Sequence, residues 1–128
     1  MNAQQAANIW LQRAESNFRL AQVGKAEAVF FEDLCFEAEQ AAEKALKAVL
    51  IHRSHEYPKT HSLGLLIELI EQYVGVSDAV RAAVALSNYA VQTRYPGDYS
   101  PVSEEEYEQA LILAQTIVSW ARQQIERG

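Results

Sequence analysis

The sequence predicts an all-α protein: an up-and-down helical bundle with a four-helix core and an additional short helix. Three observations predict it. Apolar residues recur at helical spacing through almost every segment. Alternating β-branched runs between tight turns, the mark of strands, do not occur. Three periodic segments approach or exceed twenty residues, each about 30 Å long as a helix, and short connections make such helices antiparallel neighbours. At 128 residues the chain has the length of one domain spanning 1–128, enough to bury a core without metals or crosslinks.

The first helix is expected over residues 3–23, with Ala7, Trp10, Leu11, Ala14, Phe18 and Ala21 on one stripe and Gly24 as its stop. The second spans 28–52, with Phe31, Leu34, Cys35, Ala38, Ala42, Ala45, Leu46, Val49 and Leu50 inward. A third runs over 62–75, with Leu66, Leu69, Ile70 and Tyr73 inward. Ser77 caps a fourth over 78–92 that uses Val80, Ala83 and Val84, and Asp78 in its first turn suits the helix dipole. The two shorter helices form one broken arm. The fifth has the clearest start. Ser103 and Glu106 fit a capping box, Glu104 and Glu105 suit the positive end, and Tyr107, Ala110, Leu111, Ala114, Ile117, Val118, Ala121 and Ile125 form its stripe.

Net charge is −6, which disfavours broad nucleic-acid binding through a basic surface. The charge is uneven. Residues 104–108 hold four glutamates, whereas residues 44–61 hold Lys44, Lys47, Arg53 and Lys59 against Glu56, together with all three histidines, His52, His55 and His61. The lone cysteine, Cys35, cannot form an internal disulfide and lies on a core stripe, so no oxidising compartment is implied. No charged n-region precedes an apolar run, and no apolar stretch approaches the roughly 18 residues of a membrane span. The expectation is a cytoplasmic protein that does not enter the membrane.

Two clusters are richer in chemistry than a scaffold requires. In Arg94-Tyr95-Pro96-Gly97-Asp98-Tyr99, a cation, an anion and two phenols crowd a Pro-Gly reversal. Arg94 can clamp a phosphate or carboxylate, or pair with Asp98 and fix the turn. Tyr95 and Tyr99 can stack on a base, or plug the end of the core. On the second helix, Gln40, Glu43, Lys44 and Lys47 share one face, with Glu43 and Lys47 a favourable i, i+4 pair. That face is either solvated or a row of donors aimed at an anionic partner.

Other chemistries are poorly served. The spacing of His52, His55 and His61 lacks a thiol and has one nearby acid, Glu56, so no metal site is expected. His61 reads as a capping or hydrogen-bonding residue before the third helix. There is no glycine-rich phosphate loop, the consecutive acids of 104–108 do not form a facing pair, and no cofactor is implied.

Four features resemble the HEPN domain, the higher-eukaryote-and-prokaryote nucleotide-binding family. They are an amphipathic first helix with Trp10 and Ala14; Ala38-Glu39-Gln40-Ala41-Ala42-Glu43-Lys44-Ala45-Leu46-Lys47; Pro58-Lys59-Thr60-His61-Ser62-Leu63; and Arg94-Tyr95-Pro96-Gly97 before the last helix. The resemblance covers nearly the whole chain in the order of its elements. It implies a five-helix bundle with a four-helix core, often a homodimer, and in small prokaryotic members a minimal nucleotidyltransferase partner in a toxin–antitoxin pair. It also implies, for many members, metal-independent ribonuclease activity through an Arg-x4-6-His motif. Here no histidine follows Arg94; Tyr99 stands after four intervening residues. A tyrosine hydroxyl, with a pKa near 10, is a poor base at neutral pH.

The reading that results is a non-catalytic HEPN-type module. It binds a nucleotide or other anionic ligand, or a nucleotidyltransferase partner, through Arg94, Tyr95, Asp98, Tyr99, Gln40, Glu43, Lys44, Lys47 and His61. The alternatives are a divergent ribonuclease toxin using Arg94 with Tyr99 or His61 on RNA, and a purely structural dimerisation module.

Overall fold

The computed structural model describes residues 1–23, 29–87 and 102–127. Among them lie five α-helices and one 3-10 helix, and no strand: α1 (Ala3–Ala21), α2 (Phe31–Ser54), α3 (Leu63–Ile70), α4 (Asp78–Ala82), the 3-10 helix (Ala83–Leu86) and α5 (Glu104–Arg127). The expected stop at Gly24, the end of the fourth helix towards residue 92, and the Arg94, Tyr95, Asp98 and Tyr99 cluster lie outside the described residues.

α2 is the central element. It packs against α1, α5, α3 and the 3-10 helix. The sequence explains why: Ala38, Ala41, Ala42, Ala45 and Ala48 are all buried, so neighbouring helices approach closely on several sides. Leu46, Leu63, Leu66, Ile70, Leu86 and Ile117 fill the spaces left between them. Full burial of each such side chain stabilises the fold by about 1.5–3 kcal/mol.

Helix starts follow local capping chemistry. Asn2 Oδ1 accepts the Gln5 N–H at 2.8 Å, and Gln5 Oε1 accepts the Asn2 N–H at 2.9 Å. Ser103 and Glu106 make the expected capping box, both bonds at 3.0 Å. Ser77 Oγ accepts the Val80 N–H, and Ser62 Oγ the Leu65 N–H, each at 3.2 Å. The start of α5 is tied to α2, because Glu32 Oε1 accepts the Val102 N–H at 2.9 Å. The Tyr107 hydroxyl donates to the Ala21 carbonyl at 2.5 Å, which satisfies an orphan acceptor at the C-terminus of α1.

Several expected boundaries and faces shift. α1 ends at Ala21 rather than at 23, as the Gln22 and Val23 N–H groups close a last tight turn on Arg19 and Leu20. α2 starts at Phe31 and runs on to Ser54, where His55 takes the left-handed conformation, φ 63°, and ends it. α3 ends at Ile70, where the N–H groups of Gln72 and Tyr73 bond three residues back. Its buried row is Leu63, Leu66, Ile67 and Ile70, whereas Leu69 and Tyr73 face outward. Nearly every position of this helix is apolar, so periodicity alone did not fix the phase. In the fourth element Val80, Ala83 and Leu86 are buried and Val84 is exposed. A period of three is what the tighter 3-10 winding dictates.

Candidate functional site

One face of α2 forms the floor of a groove of about 560 Å³, lined by Trp10 of α1, by Phe36, Glu39, Gln40, Glu43, Lys44 and Lys47 of α2, by Tyr57 and His61 of the α2–α3 connection, and by Ser87. Of the expected site residues, Gln40, Glu43, Lys44, Lys47 and His61 therefore come together in one concavity. The α2 face is only partly solvated, with Gln40 and Lys44 half-buried. Glu43 is 6% exposed and Lys47 only 2%, because α1 and the α2–α3 connection fold over them.

The centre of the groove is a triangle of polar atoms. Lys47 Nζ donates to Glu43 Oε2 at 2.9 Å, the expected i, i+4 pair. His61 Nδ1 lies 2.9 Å from the same oxygen and 3.1 Å from Lys47 Nζ. The Lys47 ammonium also sits 5.6 Å from the centroid of the Trp10 ring and 5.9 Å from that of Tyr57. These rings contact each other, with centroids 5.3 Å apart. A buried ammonium is thus held by a carboxylate, an imidazole and two aromatic rings. His61 itself projects outward, its side chain 79% exposed; Ser62, not His61, caps α3. Lys44 Nζ donates to Asn17 Oδ1 at 2.7 Å, and Asn17 Nδ2 donates to Glu37 Oε1 at 2.7 Å, so this second cation is braced against α1.

Tyr57 and Phe36 are groove residues that periodicity did not single out, and Trp10, which its spacing put on the core stripe, lines the groove as well. Trp10 shares a stripe with Ala7, Leu11 and Ala14, yet is only half-buried while those are buried. Its indole N–H was the available hint that it belongs at a polar boundary. Tyr57 precedes Pro58, which favours an extended backbone there and lets the ring lie back over α2.

The remaining titratable groups of interest lie elsewhere. Cys35 is buried in the core, and burial, with the charges of Glu32 and Glu106, pushes its thiol up to about 12. That makes it a packing residue. Desolvation, assisted by the nearby Arg53 and His55, holds His52 below its ordinary value. Among the described residues no group of three or more His, Cys, Asp or Glu side chains is placed to hold a metal ion, and no helix is long and apolar enough to cross a membrane.

An all-α bundle built around a long alanine-rich helix, with a polar groove on its surface, is the class of protein that fold and site define. A family model for the HEPN domain matches residues 7–124, and the chain belongs to the HEPN domain family. Two solved structures share the fold over nearly their whole length. TT1696 from Thermus thermophilus is 28% identical with a TM-score of 0.77, covering 97% of this chain and 99% of that one. ST0689, an archaeal HEPN homologue, is 25% identical with a TM-score of 0.73, covering 93% and 97%. No curated protein is matched.

Proposed function

We propose that this chain is a non-catalytic, cytoplasmic HEPN-type module that binds a nucleotide or comparable anionic ligand in the α2 groove. The observation that carries the reading is the concave assembly of Lys44, Lys47, Gln40 and His61 against the aromatic faces of Trp10 and Tyr57. Its volume of about 560 Å³ falls in the range of small-molecule sites, roughly 300–1,000 Å³. Ammonium and imidazole groups suit phosphate oxygens, and aromatic faces suit a base. Arg94, seven residues beyond the groove residue Ser87, is assigned to the same ligand as an oxyanion clamp.

The test is a thermal-shift titration with ATP, GTP and a short RNA oligonucleotide, on wild type and on Arg94→Ala and Lys44→Ala. A ligand at 100 times its Kd adds about 2.7 kcal/mol of apparent stability. The reading expects a raised melting temperature in wild type that both substitutions reduce. No shift with any ligand refutes it.

A protein partner, either a second copy or a minimal nucleotidyltransferase, is the second reading. Exposed Leu65 and Leu69 on one side of α3, with exposed Tyr73 in the turn that follows it, favour it. Light scattering that finds a monomer at micromolar concentration rules out the homodimer. Failure to co-purify with a co-expressed minimal nucleotidyltransferase rules out that partner.

A further inference from the structure

The two ammonium groups of the groove are not held alike. Lys47 is buried and pairs with the Glu43 carboxylate at 2.9 Å, so its charge is offset inside the protein. Lys44 is half-buried and makes no ion pair among the described residues. Its Nζ donates instead to the side-chain oxygen of Asn17, a neutral amide, at 2.7 Å. The acid of this network, Glu37, stands seven residues before Lys44 on α2, about 10.5 Å along the helix axis. It is joined to Lys44 through Asn17, whose Nδ2 donates to Glu37 Oε1 at 2.7 Å. These charged neighbours fix the way the amide faces. Turned over, it would set its oxygen against the carboxylate and its NH2 against the ammonium, and both charge-assisted bonds would be lost. Asn17 belongs to α1 and is not one of the residues that line the groove.

We infer that Asn17 is the positioning residue of the groove: its neutral amide holds the Lys44 ammonium in place and leaves the charge available to a phosphate-type oxyanion of the ligand. The inference rests on the proposed binding role of the groove, and adds which cation meets the anion and what keeps it there. A long lysine stem loses rotamer freedom when a ligand orders it, and that loss weakens binding. The bond to Asn17 orders the stem beforehand. A carboxylate in the same place would order it as well, but would compete with the ligand for the ammonium. An ammonium has three donors. Asn17 takes one, and no other acceptor among the described residues takes the remaining two. Glu37, by accepting from the Asn17 amide, polarises the oxygen that faces Lys44. It steadies the ammonium without meeting its charge at contact distance.

Two variants separate position from charge. Asn17→Ala frees the Lys44 stem. Asn17→Asp combined with Glu37→Gln keeps the side-chain shapes, the net charge and both hydrogen bonds, the second now donated by the new amide at position 37, and moves the carboxylate next to Lys44. Carbon-13 relaxation at Lys44 Cε in the ligand-free protein reports position. The expected result is an ordered Lys44 in wild type and in the paired variant, and one as mobile as the exposed Lys59 in Asn17→Ala. A Lys44 as mobile as Lys59 in wild type, or one that Asn17→Ala leaves unchanged, overturns the inference even if ligands bind. Calorimetric titration with AMP and with inorganic sulfate reports charge. The paired variant is expected to melt as wild type does and to bind either anion several-fold more weakly; Asn17→Ala is expected to weaken binding too. Wild-type affinity in the paired variant overturns the inference while the groove reading stands. An ordered Lys44 with no binding of AMP or sulfate to wild type overturns the binding role of the groove instead. AMP binding far tighter than sulfate identifies the oxyanion's source as a nucleotide; equal affinities identify it as free oxyanion.

Discussion

Replacing Glu43 by Gln removes the carboxylate that pairs with Lys47 among the described residues. Both residues are buried, Glu43 at 6% and Lys47 at 2% exposure, with Nζ and Oε2 2.9 Å apart. Removing one member of a buried pair costs about 3–5 kcal/mol, because the survivor is left charged and desolvated. Glu43→Gln retains an amide oxygen, and the Trp10 and Tyr57 rings still attract the ammonium, an effect worth roughly 0.5–2 kcal/mol. The expected loss is therefore at the lower end, about 3 kcal/mol. For a chain of this size that lowers the melting temperature by roughly 10 °C. Urea denaturation of wild type, Glu43→Gln, Lys47→Met and the double variant is the assay. The double variant should recover most of the loss, since an apolar replacement of a buried pair is often neutral. A loss below about 1 kcal/mol in Glu43→Gln, or strict additivity in the double variant, would refute the view that the two charges depend on each other.

Three further outcomes are expected. Ser103→Ala breaks the capping box at the start of α5 and should destabilise by about 1 kcal/mol in the same denaturation assay. The His52 imidazole is held below its ordinary value of 6.5 by burial and by the neighbouring Arg53 and His55. The unfolded chain therefore binds this proton first: the contribution to stability is present above the unfolded value and is lost as pH falls below it towards the folded one. His52→Gln should accordingly flatten the stability-versus-pH curve below about pH 6.5, read from melting temperatures. Cys35, its thiol pushed up to about 12, should resist a thiol-reactive disulfide reagent in the native protein and react once the chain is unfolded in urea.

The fold was legible where one face of a helix is apolar and the other is not. The stripes of α1, α2 and α5 lie buried nearly as their spacing implies, and Ser103 with Glu106 marks the start of α5 to the residue. Legibility failed where the pattern carried no contrast. The apolar run around Leu63 to Ile70 left its phase open, and a change of winding at Ala83 altered which residue faces inward. The i, i+4 pairing of Glu43 with Lys47 was readable, but its burial was not. Burial depends on Trp10, thirty-odd residues upstream, and on Tyr57 folding back from beyond the helix end. That His61 would meet this pair is likewise a tertiary fact, invisible to local spacing.

The groove as a ligand site is tested most directly through its own tryptophan. Trp10 lines the groove, and Trp120 on α5 is the only other tryptophan in the chain. In a Trp120→Phe background, emission reports Trp10 alone. Titration with ATP is predicted to change that emission saturably, and Lys44→Ala, added to the same background, to weaken the response at least several-fold. Emission that stays flat up to millimolar ATP, or a response that Lys44→Ala leaves unchanged, would contradict the assignment of the α2 groove as the binding site.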